Sequence, residues 1–271
     1  MSTSPKTVLV VGATGGIGSL AVEEAIAQGH AVRALVRDPR KAHRLPADAQ
    51  IMVGDVTKPE TLREAVAGVD AIVLTLGSDG LGKAGAERID YGGVRNVLAA
   101  LRPGLARIAL MTSIGVTNRD GDYNRSTEAH DWKRRAERLV RASGLPYTIV
   151  RPGWFDYNAA DQHHLVLLQG DRRQAGNPSD GAVSRRQIAE ILVRSLTSAA
   201  ALRKTFELVA TKGPAQDDVD ALFAAVDADV AGSLDGVRDM PNQPLEQEPQ
   251  HVRADLDAVR MMADAHKSSV Q

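Results

Sequence analysis

No cysteine occurs among the 271 residues, which excludes disulfides, thiolate nucleophiles and cysteine-ligated zinc. Aromatic residues make up only 3% of the chain against 43% hydrophobic residues in all, so the core is built mainly from Val, Leu, Ile and Ala. The formal net charge is -1, without the basic excess that binds nucleic acid or an anionic membrane surface. No apolar run approaches the length of a membrane span, and the run after Met1-Ser2-Thr3-Ser4-Pro5-Lys6 is too short for a signal peptide. A cytoplasmic protein is expected, monomeric or homodimeric. At this length the chain holds one large α/β domain, or one domain with a small appendage.

What is present begins at Thr7-Val8-Leu9-Val10-Val11-Gly12-Ala13-Thr14-Gly15-Gly16-Ile17-Gly18. The apolar run reads as a strand buried on both faces. A turn of small residues follows, then an amphipathic helix over Ser19–Ala27 that ends near Gly29. Strand, glycine turn and helix form an anion site, because the helix N-terminus offers unpaired N–H groups and glycines admit a pyrophosphate to the backbone. The spacing is G-x-x-G-x-x-G (Gly12, Gly15, Gly18), not the G-x-G-x-x-G of the commoner dehydrogenase fingerprint.

Strands and helices then alternate. Ala31–Val36 is a strand with Arg37 at its carboxyl end, where an acidic residue would take a ribose 2′-hydroxyl and an arginine a 2′-phosphate. With Arg40 and Lys41 close behind, Arg37 favours NADP over NAD, although Asp38 is next to it and the group also reads as a charged loop. A short strand Ile51–Val53 leads to Gly54-Asp55-Val56. Asp55 there is placed to accept an adenine amino group, and Asp55 or Thr57 to cap a helix from about Pro59 to Ala67. Asp70–Leu76 is a fourth strand, entering a glycine-rich loop over Gly77–Gly82. Ala86–Leu101 reads as a long helix, with Gly92-Gly93 inside it pointing to a close packing contact or a ligand. Arg107–Ser113 is the fifth strand, and Ser113 stands at its carboxyl end, the edge where open parallel sheets bind ligands.

Asn118–Thr127 reads as a loop. Glu128–Ala142 is a helix with Trp132, Ala136, Leu139 and Val140 apolar and Lys133, Arg134, Arg135, Arg138 and Arg141 polar, closed by Gly144. Tyr147–Val150 is the sixth strand, and Arg151-Pro152-Gly153-Trp154-Phe155 turns toward the substrate side. The excursion at 154–184 is expected to have little regular structure. Ser184 caps a helix over Arg185–Leu196, Thr205–Val209 is a last strand, and Asp218–Val226 is a helix. Asp227–Pro249, acidic with Pro241, Pro244 and Pro249, reads as a tail or linker, and His251–Ala265 has helical character. Asp156, Asp161, His163 and His164 lie close together, but adjacent histidines do not readily share one ion and no second cluster completes a site, so no metal is expected.

The glycine turn, Leu35-Val36-Arg37, Gly54-Asp55-Val56, Thr112-Ser113-Ile114-Gly115 and Ser143-Gly144-Leu145-Pro146-Tyr147-Thr148-Ile149-Val150-Arg151-Pro152-Gly153 together resemble the atypical short-chain dehydrogenase/reductases. The nearest branch is the NmrA-like, NAD(P)-binding SDR a5 group, which includes biliverdin reductase B-type enzymes. The resemblance spans about residues 7–210. It implies a Rossmann-like, doubly wound parallel sheet of about seven strands that binds NADP (NAD possible). Residues 1–213 then form the dinucleotide-binding domain and 214–271 a helical, charged extension.

The resemblance further implies a Ser or Thr after the fifth strand and a Lys in the following helix, positions held by Ser113 and Lys133. Cofactor contacts are expected from Gly12, Thr14, Gly15, Gly16, Ile17, Gly18, Arg37, Asp55, Val56, Leu76, Gly77, Lys133, Pro152, Gly153 and Trp154. Trp154, Phe155 and Tyr157 are expected to shape the substrate pocket. One departure is sharp: the family's Tyr-x-x-x-Lys places tyrosine at position 129, which is Ala129. His130, Tyr123, Tyr157 or water is left to supply the proton that a carbonyl reduction needs. The expected function is NAD(P)H-dependent reduction of a small carbonyl, enone or quinone-like acceptor. The alternatives are a non-catalytic NADP-binding redox sensor, or an isomerase or epimerase that uses bound NAD(P).

Overall fold

The computed structural model describes residues 4–78, 80–101 and 106–270, with side chains to residue 265. Strands β1 (Thr7–Val11), β2 (Ala31–Val36), β3 (Gln50–Val53), β4 (Ala71–Leu74), β5 (Arg107–Met111), β6 (Tyr147–Pro152) and β10 (Lys204–Thr211) lie in the order β3-β2-β1-β4-β5-β6-β10. Every neighbouring pair among them is parallel. This is the doubly wound sheet expected from the alternating pattern. Its order reverses at β1, which puts the crevice for a ligand beside the glycine turn.

Both faces are covered. Val8 and Val10 join a core with Ala21, Val22 and Ala25 of α1 (Gly18–Ala27) and Ile188, Ile191 and Leu192 of α7 (Arg185–Ser195). Leu9 and Val11 join the opposite core. That core takes in Ala65 and Val66 of α2 (Arg63–Val66), Val94 and Val97 of α4 (Gly92–Ala100), and Trp132 and Leu139 of α6 (Ala129–Ala142). This two-sided burial is why the strands read as unbroken apolar runs.

Several segments depart from the sequence pattern. The excursion is more ordered than expected, with β7 (Trp154–Phe155), β8 (His164–Leu168) and β9 (Ala182–Val183) extending the sheet beyond β10. β8 pairs antiparallel with β10 from Glu207–Leu168 to Thr211–His164, so its apolar run is edge strand rather than loop. The long helix around Gly92-Gly93 is three pieces: α3 (Gly82–Gly85), a π-helical segment Ala86–Tyr91, and α4. A Cβ at Gly93 would stand 2.6 Å from Leu76 Cδ1 and 3.1 Å from Val56 Cγ2, so close packing explains that glycine. Asn118–Thr127, read as loop, contains α5 (Asp122–Thr127), and α8 (Val219–Ala224) follows β10.

The largest correction concerns Asp227–Pro249. It has little regular structure but is no free tail: Asp229, Gln243 and Glu248 are buried against α6. The chain then closes with α9 (Gln250–Val270), whose Val252, Leu256 and Val259 enter the core shared with α6. The basic side of α6 is therefore internal. Arg134 is 0% and Arg138 2% exposed, paired with Asp235 and, for Arg138, also with Glu248 at 2.8 Å. Arg135 reaches Glu248 at 2.7 Å and Arg141 reaches Asp229 at 3.1 Å. Arg134 also donates to the Met240 carbonyl and Arg138 to that of Gln243.

Candidate active site

The glycine turn is built by close approach. Gly12 has φ +88°, and a Cβ on it would meet the Thr75 carbonyl at 2.8 Å. A Cβ on Gly18 would stand 2.1 Å from the Gly12 carbonyl, so α1 starts hard against the end of β1. Gly15 N–H donates to the Gly12 carbonyl at 2.9 Å. Thr14, Gly15 and Gly16 are exposed, Ile17 is buried, and no side chain caps α1; the Ser19 N–H donates to the Gly15 carbonyl at 2.9 Å, and the positive end of the helix faces the turn.

Arg37 stands at the end of β2, exposed and without a hydrogen bond or ion pair among the described residues. Arg40 is not equivalent, because its guanidinium doubles back onto Asp38 at 3.0 Å. Asp55 Oδ1 accepts from the Thr57 N–H and hydroxyl at 2.9 and 2.8 Å. Partial burial would raise its carboxyl, but those bonds and the charges of Arg37 and Lys58 outweigh it and hold the group below its ordinary value. Val56 is buried, and its carbonyl accepts from Asn96 at 2.7 Å. Leu76 is half-buried beneath Gly93 and Gly77 is exposed, while Asp79 of the same loop lies outside the described residues.

At the sheet's carboxyl edge the Ser113 hydroxyl is buried with no hydrogen-bond partner among the described residues. A hydroxyl without a partner in the protein is costly and is suited to a ligand oxygen or nitrogen. Lys133 lies half-buried on α6 with its Nζ on Asp90 Oδ1 at 2.9 Å, and the other carboxylate oxygen of Asp90 accepts from the Ser78 hydroxyl. Asp90 comes from the π-helical segment, a conformation frequent at functional sites. An ammonium has three donors, so Lys133 keeps others after meeting Asp90. Lys133 is thus not the exposed surface lysine that its basic neighbours suggest.

Ala129, where the tyrosine would be, is buried at the start of α6. His130 packs beneath Gly115, with a ring carbon 3.2 Å from where a Cβ would sit, and its ring lies 5.0 Å from that of Tyr123. Its Nδ1 has no partner. Burial lowers the imidazole below its ordinary value and outweighs the Asn118 carbonyl and the Asp171 charge, which act the other way. The shift favours the neutral form of His130.

Gly153 follows Pro152 at the end of β6, and a Cβ on it would meet the Gly181 carbonyl at 2.4 Å, so the position admits only glycine. Trp154 and Phe155 are half-buried, and Tyr157 is exposed with its ring 5.9 Å from that of Trp154. A cleft of about 360 Å³ borders Ile114, the residue after Ser113, and Glu207 of β10. Among the described residues no group of acidic or histidine side chains is arranged to hold a metal, and no helix is long and apolar enough to cross a membrane.

The site contains two residues that the sequence reading missed. Asp90 was hidden inside an apparently regular helix, and only the costly Gly92-Gly93 pair nearby hinted at an irregularity. Arg185 sits at the other end: its Nη1 lies 2.4 Å from a Cβ built on Gly16, so it rests on the glycine turn. Its only signal in the sequence was its place after the capping Ser184.

Comparison with known proteins agrees with this geometry. The chain is 28% identical to sanguinarine reductase of Eschscholzia californica over 268 residues, covering 83% of this chain and 97% of that protein. It is 28% identical to the photosystem II assembly factor Ycf39 of Synechocystis over 209 residues, covering 76% of this chain and 63% of that protein. A short-chain dehydrogenase/reductase of Veillonella parvula, solved in complex with NADP, shares the fold with a TM-score of 0.57 at 17% identity, over 76% of this chain and 95% of that one. The NAD(P)H-binding family profile matches residues 12–199, most of the chain. The protein belongs to that family, as an atypical short-chain dehydrogenase/reductase with a Rossmann-like sheet.

Proposed function

We propose that the protein is an NADPH-dependent reductase of a small carbonyl, enone or quinone-like acceptor. The observation that carries the reading is the buried, unpartnered Ser113 hydroxyl at the carboxyl end of β5. NADPH, when bound, supplies a hydride. Ser113 donates a hydrogen bond to the acceptor oxygen as negative charge develops there. Lys133, anchored by Asp90, holds the nicotinamide ribose and adds positive charge to the site. Trp154 and Phe155 line the substrate side of the site, with Tyr157 at the rim. The proton comes from water, since Ala129 stands where the tyrosine four residues before Lys133 would be and burial disfavours the protonated form of His130. Acceptors whose reduced form picks up its proton from solvent suit such a site.

Arg37 supports NADP over NAD, being an unpaired guanidinium at the end of β2. The test is a fluorescence titration with NADPH and NADH followed by a panel of carbonyl, enone and quinone acceptors. Tight NADPH binding with oxidation is expected. Arg37→Asp should shift preference toward NADH by about tenfold or more, the scale of one charge-assisted contact; an unchanged ratio would put the 2′-phosphate elsewhere. Lys133→Ala should abolish turnover while only weakening NADPH binding.

A second reading, an NADP-binding sensor that reports to a protein partner, draws on Ala129 in place of the tyrosine and on the likeness to an assembly factor. Tight NADPH binding with no oxidation of any acceptor would favour it.

A further inference from the structure

The glycine turn carries a cation that stability does not account for. Arg185, the first residue of α7, lays its guanidinium on Gly16 and pairs with Asp156 through Nε–Oδ2 at 2.9 Å. Asp156 Oδ1 also accepts from the Arg185 N–H at 3.2 Å. The guanidinium lies 5.7 Å from the ring centre of Phe155. One side chain thus joins the turn, the aromatic segment and the start of α7. The two paired side chains are 45% and 55% exposed, and surface pairs of that kind contribute little to folding. Asp156 has φ +58°, a backbone state that Asp and Asn tolerate best, so its carboxylate is presented from a fixed position.

Thr14, Gly15 and Gly16 beneath the guanidinium are exposed, and the N–H groups at the start of α1 have no capping side chain. An anion arriving there meets N–H groups, the positive end of α1 and a guanidinium together. We propose that Arg185 reads the dinucleotide diphosphate, and that Asp156 is its counter-ion only until the nucleotide arrives. The inference rests on the reading of the protein as a dinucleotide-binding reductase. Diphosphate and carboxylate compete for one guanidinium, so the two partners of this ion pair act on binding with opposite signs.

The test is a titration of wild type, Arg185→Ala and Asp156→Asn with NADPH and with NADH. Thermal melts on the same samples check the fold. Arg185→Ala should weaken both nucleotides by about tenfold to a hundredfold, the range of a charge-assisted contact, and leave the NADPH-to-NADH ratio unchanged. Asp156→Asn keeps an acceptor for the Arg185 N–H and tolerates positive φ, and it should tighten both by about threefold or more once the competing charge is gone. A brace holding the loop in shape would weaken binding in both variants alike, and that outcome overturns the proposal. So does an Arg185→Ala variant that binds like wild type. If Arg185→Ala fails to fold, Asp156→Asn decides alone, and unchanged or weaker binding in it counts against the proposal. A wild type that binds neither nucleotide undoes the dinucleotide reading itself, which sets that failure apart.

Discussion

Glu207 has a carboxyl displaced far from its ordinary chemistry. Burial, helped by the charges of Asp171 and Asp239, pushes it up to about 8, although Arg151 and the Asp171 N–H pull the other way. Glu137, on the far side of the same Arg151, goes the opposite way. Burial would raise it, but Arg151 and Arg141 outweigh that and hold it at about 2. The folded state therefore binds a proton at Glu207 that the unfolded chain releases near 4.5. Its contribution to stability is full below that value and is lost as pH rises toward about 8. Unfolding free energy from urea titrations should fall across this window, and Glu207→Gln should flatten the fall. A variant with the wild-type slope would assign the titration to another group. None of this was legible in the sequence, where Arg151 and Glu207 are single charges inside apolar strands. By contrast, the places of Arg37, Ser113 and the glycine turn in the fold were legible, because the ends of β2, β5 and β1 follow from the apolar runs.

At the scale of elements, α6 has two lives. Its Trp132, Ala136, Leu139 and Val140 stripe was readable as the face toward the sheet. Its arginines read only as the polar face, because periodicity reports which side is apolar, not what covers the other side. The cover is the acidic stretch over 229–248, which the same logic read as a tail. A basic helix face and an acidic segment were each judged alone. Arg138 forms ion pairs with Asp235 and Glu248 while 2% exposed, so Arg138→Ala opens a gap in a buried network and leaves Asp235 with Arg134 alone and Glu248 with Arg135 alone. That substitution should cost about 3–5 kcal/mol in denaturant unfolding. A loss under about 1 kcal/mol would mean that the pairs are solvated after all. The π-helical segment was also invisible, since Ala86–Tyr91 has the composition of an ordinary helix. Only the contacts of Asp90 with Lys133 and Ser78 show what its irregular backbone is for.

For the molecule as a whole, the doubly wound parallel sheet follows from alternating apolar runs and helices, and that level was read correctly; the strand order was not part of that reading. What alternation does not encode is how the last part of the chain returns to the first. A chain ending at residue 228 would leave Arg134, Arg135 and Arg138 without acidic partners and uncover the core that Val252, Leu256 and Val259 complete. Such a truncation should abolish a cooperative melting transition and expose apolar surface to a dye such as ANS. A truncated chain with the wild-type melting temperature would mean that the extension is an accessory.

The fastening of α6 also sets a schedule. Arg135 and Arg138 find Glu248 at sequence separations of 113 and 110, and Arg141 finds Asp229 at 88. A ribosome delivers the chain from its N-terminus at about 5–20 residues per second. The glycine turn, Ser113 and Lys133 all emerge well before the acids that seat the helix carrying Lys133. During that interval the arginines of α6 are without the acids that pair with them in the folded protein. The nucleotide half is thus made early, and the lysine reaches its final place only when nearly the whole chain has been translated.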